Sequence, residues 1–407
     1  MRERCHGLDV FRGFVILGVV FSRLMPVAGL PGWVYGARQG FGAVDLLFPA
    51  VLFCLGASIP LALSRRLPEG LPETIEESNQ HIGRWISAYG HVLLRSALVL
   101  GLAYVLPNVS GPVMSLVYFF ALGLIFVRLR EKFEAQSLVL NCLGVAAVVI
   151  GLLTQGYSKP PDRYLVILGF NALAGAVTYM VARNSQHFRL VMTLIWGLIW
   201  IVGQQAGWVH QMLEWRVFGG LQPLALLKFQ LIVLPGVAIG EALLLARSES
   251  PSPDRWPQLI NSLFGVVGVG LSLWAASSGE FEYALILCSL LAANAIWFAQ
   301  PWPLIRATQA WGWGLVLVGF LMSPLGGVRP AAVSLGYLLI ATGVIVLLFA
   351  FVWAVALFAR TGRVSVSEGS LRELVLNRVE FGVQPGPRQG FVALVGQNPL
   401  LAYLALS

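Results

Sequence analysis

The sequence predicts an all-α polytopic membrane protein: a single transmembrane domain over residues 1–407 built as a bundle of about 11–13 helices. Three observations carry that prediction. Hydrophobic residues make up 57% of the chain and charged residues only 11%. Apolar runs of about twenty residues, the length that crosses a bilayer, recur from end to end. The cations gather in alternate short connections, as the positive-inside rule requires.

The first run, 8–27, opens on Leu8-Asp9-Val10-Phe11-Arg12-Gly13, and the second, 42–64, opens on Asp45-Leu46-Leu47-Phe48-Pro49. An ionisable residue inside a bilayer costs about 2.5–3.5 kcal/mol on insertion scales, so Asp9, Arg12 and Asp45 read as functional. Asp9 and Arg12, three apart on one helical face, can equally serve only to neutralise each other. The remaining spans are expected at 86–106, 112–129, 137–155, 164–183, 188–206, 222–246, 258–277, 281–300, 304–325 and 331–359. A last apolar segment starts near Phe391 and stops at Ser407, too short to cross, as in a chain cut inside its final helix.

The formal net charge of +8 is spread over short loops rather than gathered into a patch, which argues against a nucleic-acid partner. With the N-terminus inside, Arg2, Arg4, Arg65, Arg66, Arg84, Arg128, Arg130, Lys132, Arg183, Arg189, Arg247, Arg255, Arg306, Arg360 and Arg363 share one side of the membrane. Arg38, Lys159, Arg163, Arg216 and Arg329 occupy the other. This asymmetry predicts a cytoplasmic N-terminus and an external loop over 26–41. The first run contains Arg12 and no small-residue cleavage site, so it is expected to stay as a helix rather than leave as a signal peptide.

Cys5, Cys54, Cys142 and Cys288 are scattered; neither a disulfide framework nor a metal spacing is present, and no metal is expected. Two polar stretches, 67–83 with four glutamates and 361–390 with mixed charge, read as cytoplasmic linkers. Glycines at helical spacing, Gly236 with Gly240 and Gly265 with Gly268 and Gly270, predict close helix packing. The second set lies mid-span with no strand before it, so it is not a nucleotide loop. Asn171, Gln204, Gln205 and Asn294 are expected to form hydrogen bonds between helices, while Lys228 and Glu241 flank the eighth span. His91 and Arg95, four apart on the third helix, could attract an anionic ligand or a carboxylate such as Asp45.

Leu8 to Gly13, Trp33 to Gly40, Asp45 to Pro49 and Gly56-Ala57-Ser58-Ile59-Pro60-Leu61 together resemble the catalytic region of the heparan-α-glucosaminide N-acetyltransferase family and its uncharacterised bacterial relatives. The resemblance is specific over 8–66 and diffuse beyond. Weaker echoes are Arg95 to Leu98, Leu226 to Glu241, and Gly396 to Leu400 with Tyr403.

The resemblance implies a multi-pass acyltransferase of the bacterial inner membrane. It would take acetyl, or another acyl group, from acetyl-CoA inside and pass it to a sugar or glycan acceptor outside. Such chemistry needs a general base at the acceptor and donors for the thioester oxyanion. Where the family has a catalytic Asn and a catalytic His, this sequence has Arg23 and Tyr35. The catalytic set is therefore read as Asp45, Tyr35 and Arg23. Arg12, Arg65 and Arg66 are read as binding the phosphates of CoA, since guanidinium suits phosphate. Trp33, Arg38, His91 and Arg95 are assigned to the acceptor. A catalytically inactive relative that binds or carries an intermediate is the alternative, and a transporter is a third. The expected partners are the bilayer and the glycan acceptor, and a homodimer stays open.

Overall fold

The computed structural model describes residues 6–24, 42–64, 75–105, 160–182, 186–203, 207–216, 222–248, 255–299, 302–325 and 333–365, with a few short pieces between them. Among these residues the secondary structure is helical, with no strand. The helices are α1 His6–Leu24, α2 Leu47–Leu63, α3 Ile75–Val105, α4 Arg163–Ala182, α5 Gln186–Gly203, α6 Trp208–Glu214, α7 Gln230–Ser248, α8 Arg255–Ser278, α9 Phe281–Phe298, α10 Pro303–Met322 and α11 Leu335–Ser365. Three-residue 3₁₀ turns precede α2 and α7, at Val44–Leu46 and Leu227–Phe229.

Among the described residues, eight segments are long and apolar enough to cross a membrane. The expected spans at 112–129 and 137–155 lie outside the described residues, apart from isolated positions, and the others each fall on a described helix. α1 forms as expected, but with Asp9, Arg12 and Arg23 in its 19 residues it is more charged than the eight apolar spans. The seventh expected span, 188–206, falls on α5, and the short helix that follows it, Trp208–Glu214, meets Val191–Gly203 at 103°. α3 begins at Ile75, so residues 75–83, expected within the polar linker 67–83, already belong to a helix. Residues 361–365 close α11, and the rest of 361–390 lies outside the described residues.

The membrane-spanning part of α11 is 72% buried and that of α7 is 67% buried, whereas α3 and α9 are 24% and 22% buried. Among the described helices, α7 and α11 are thus the core of the bundle, and α3 and α9 are its least buried members. A bilayer supplies no hydrophobic drive between helices, so close packing has to come from small residues. α2 and α7 meet that demand with glycines on both sides. A Cβ on Gly56 would strike the Val233 carbonyl, one on Gly236 would lie 2.6 Å from the Phe53 carbonyl oxygen, and one on Gly240 would strike the Ala57 carbonyl. The Gly236 and Gly240 pair is therefore a packing face, as its spacing predicts. α10 and α11 cross in the same way, Gly312 against Gly343 and Gly319 against Gly336. Gly268 lies under the fully buried Trp313 ring and Gly265 against Leu347. Gly265 and Gly268 of α8 thus pack against neighbouring helices, whereas Gly270, expected to do the same, has nothing within 4 Å of an added Cβ.

Candidate functional site

Two polar clusters occupy opposite ends of α2. Ser58 follows Asp45 by thirteen residues, so at helical rise the clusters stand roughly 20 Å apart.

In the first cluster Arg12 bridges α1 to α2. Its Nη1 donates to Asp9 Oδ1 at 3.3 Å and its Nη2 donates to the hydroxyl of Ser58. Ser58 in turn donates to the Cys54 carbonyl one turn back. The Arg12 and Asp9 side chains are 21% and 10% exposed, and beside them Phe11, Phe53 and Phe349 stack edge to face or tilted at 5.4–6.1 Å. The guanidinium is therefore consumed inside the fold, neutralising Asp9 and pinning two helices.

The second cluster is built at the start of α2. The Gly42 N–H donates to Asp45 Oδ2 at 2.8 Å, and the Asp45 N–H donates to the Gly42 carbonyl at 3.1 Å. This reciprocal pair closes the entry turn as a capping box does. Tyr337 of α11 donates its hydroxyl to the Asp45 carbonyl at 2.7 Å, across 292 positions of chain. Tyr337 is placed by Ser334, whose hydroxyl donates to the Gly327 carbonyl at 2.8 Å and accepts from the Tyr337 N–H at 3.3 Å. Asp45 is thus held from both sides, while its Oδ1 bonds to none of the described residues.

An aromatic row runs sideways from there. Phe48, one turn along α2, meets Tyr164 of α4 at 4.9 Å and Phe229 at 6.0 Å, both edge to face. Tyr164 is set by Asp162, which caps α4 by accepting the Leu165 N–H at 3.0 Å. Beyond Phe229, the Lys228 Nζ stands 4.4 Å from the centroid of the Trp200 ring and 5.5 Å from that of Phe229.

Elsewhere the buried amides join helices. Gln230 donates to Asn171 Oδ1 at 2.9 Å, and Asn171 donates to the Leu226 carbonyl at 3.2 Å. Asn261 donates to the Ala295 carbonyl at 2.8 Å, while Gln309 donates to the Asn261 carbonyl at 3.4 Å and accepts from Trp313 Nε1 of its own helix at 2.8 Å. Asn171 thus plays the interhelical part expected of it. Asn294, expected to do the same, is exposed and bonds back to its own helix at Leu290. Gln204 and Gln205 lie outside the described residues.

Residues 4–243 match the family described as Domain of unknown function (DUF5009). The chain belongs to the DUF5009 family. No curated protein and no solved structure matches it. The DUF5009 region holds the Arg12 pin, the Asp45 turn and the aromatic row with Lys228, but ends within α7. Tyr337, which anchors Asp45, lies beyond it on α11.

Of the residues expected at the site, Asp45 and Arg12 are placed as above, in separate clusters. Arg23 sits in the last turn of α1 with its side chain outside the described residues, and Tyr35, Trp33, Arg38, Arg65 and Arg66 also lie outside them. His91 is on α3, its side chain likewise outside, and Arg95 is exposed on the same helix. α3 packs chiefly on α4, and the Asp45 carboxylate is met by the Gly42 N–H. Sequence reasoning missed Tyr337, Ser58, Tyr164 and Trp200. Ser58 offers no local signal, because a serine in a membrane helix bonds back to its own turn whatever else it does. Lys228 did carry one, as the single cation of its apolar run.

Proposed function

We propose that this DUF5009 protein is a membrane-embedded acyltransferase related to the heparan-α-glucosaminide N-acetyltransferase family. It takes an acetyl or other acyl group from acyl-CoA on the cytoplasmic side of the bacterial inner membrane and transfers it to a sugar or glycan acceptor on the opposite side. The reading rests on Asp45, a carboxylate at the end of a membrane helix, held by Gly42 and Tyr337, with one oxygen uncommitted among the described residues. A carboxylate so oriented is suited to act as a general base.

In this reading the acceptor hydroxyl or amine gives its proton to Asp45 Oδ1 as its oxygen or nitrogen attacks the thioester carbonyl carbon. The C–S bond then breaks and CoA leaves as the thiolate. Tyr35 and Arg23 supply donors to the developing oxyanion. Arg65 and Arg66 meet the CoA phosphates, and Arg12 positions α1 against α2. The engagement of Arg12 with Asp9 and Ser58 favours a second reading, a non-catalytic binding or carrier protein, since it removes one expected cation from CoA.

Calorimetry with acetyl-CoA on the full chain in detergent, followed by transfer from labelled acetyl-CoA to a panel of amino sugars in reconstituted vesicles, tests the proposal. Saturable binding by wild type is expected, lost in the Arg65→Ala/Arg66→Ala double variant. Asp45→Asn is expected to bind acetyl-CoA but not to transfer. Absence of binding by monodisperse wild-type protein would overturn the enzyme reading in favour of the second.

A further inference from the structure

We infer that Lys228, over the rings of Trp200 and Phe229, together with Arg163 at the start of α4, forms a binding site for a phosphate monoester at the Asp45 end of the bundle. Four observations bear on it. Lys228 Nζ stands over Trp200 and Phe229 at 4.4 and 5.5 Å, and no carboxylate among the described residues pairs with it. Arg163, exposed at the first position of α4, precedes Tyr164, which is joined through Phe48 to Phe229, so a second cation stands at the same end of the bundle. The nearest carboxylate in sequence, Asp162, spends Oδ1 on the Leu165 N–H. Finally, the Nε1–H of Trp200 is buried and finds no acceptor among the described residues, an uncommitted donor beneath the same cation.

A cation held among apolar rings with no carboxylate beside it is stabilised by an anion that meets it. A phosphate monoester carries close to two negative charges at neutral pH and three acceptor oxygens. Guanidinium matches its geometry, and an ammonium serves it as a point charge. The aromatic row, with Tyr164 51% exposed and Phe48 and Phe229 deeper, gives an apolar bed for whatever carries the phosphate. Such a group arrives either on a lipid, as phosphatidic acid, or on a soluble sugar phosphate. The aromatic bed suits both, and the two sources separate by experiment.

The full chain in nanodiscs of phosphatidylcholine would be titrated with dioleoyl phosphatidic acid, and separately with glucosamine 6-phosphate in solution, with no acyl donor present. Bound ligand would be counted by native mass spectrometry. Saturable binding of either monoester is expected, weakened about tenfold or more in Lys228→Met and kept within about threefold in Lys228→Arg. The responding ligand identifies the source. A monodisperse, thermally stable Lys228→Met protein that binds both probes as wild type does would overturn the site, as would equal affinity for the diester dioleoyl phosphatidylglycerol. Because binding is read without CoA, loss of this site and loss of acyl transfer are distinguishable.

Discussion

Arg12 of α1 and Ser58 of α2 are joined side chain to side chain across 46 positions of sequence, and the same guanidinium holds Asp9. The serine hydroxyl accepts from Arg12 and donates to the Cys54 carbonyl, so both of its hydrogen-bonding capacities are used. A charge pair that would be expensive alone in the membrane becomes a fastening between two helices.

Removing one member of that pair strands the other in a poorly solvated place. Arg12→Ala should destabilise the protein by about 3 kcal/mol, read as a lower midpoint of unfolding in mixed micelles. The Asp9→Leu/Arg12→Met double variant should recover most of that loss, because an apolar pair leaves no unpaired charge. Equal loss in single and double variants would show that the pair does more than neutralise itself.

The α2 to α7 crossing depends on having no Cβ at Gly236, where one would lie 2.6 Å from the Phe53 carbonyl oxygen. Gly236→Ala must push two core helices apart and should cost about 2 kcal/mol or more. Gly270→Ala, with nothing within 4 Å of the added carbon, should be neutral or stabilise α8 by up to about 1 kcal/mol. Thermal unfolding of the two variants side by side checks both, and equal melting temperatures would refute the close approach.

Tyr337→Phe removes only the hydroxyl that holds the Asp45 carbonyl at 2.7 Å. The expected loss of stability is about 1 kcal/mol, the net value of one such bond. If Asp45 is the base of an acyl transfer, the same variant should slow transfer with acetyl-CoA binding unchanged, because the bond orients the turn and touches no donor group. Reconstituted transfer assays beside calorimetry separate the two effects; reduced CoA binding would place Tyr337 elsewhere in the mechanism.

What the sequence by itself determined is what depends on some twenty consecutive residues: the all-α membrane class, the runs that became α2, α4, α7, α8, α9, α10 and α11, and the packing role of Gly236 and Gly240. Hydropathy and small-residue spacing are local properties, and in a bilayer they suffice because every backbone group must be satisfied within its own helix. Part of α3 escaped that reading, since the polar residues 75–83 continue a helix where composition indicates a linker. Only the tertiary structure decided which side chains meet. It set Arg12 on Ser58, Tyr337 on Asp45, Lys228 over Trp200, and Arg95 on an exposed face of α3. Hydrogen bonds and ring contacts act over a few ångströms, so the partner of a membrane charge is chosen by which helices pack together, and that choice leaves no trace in the spacing of residues along any one of them.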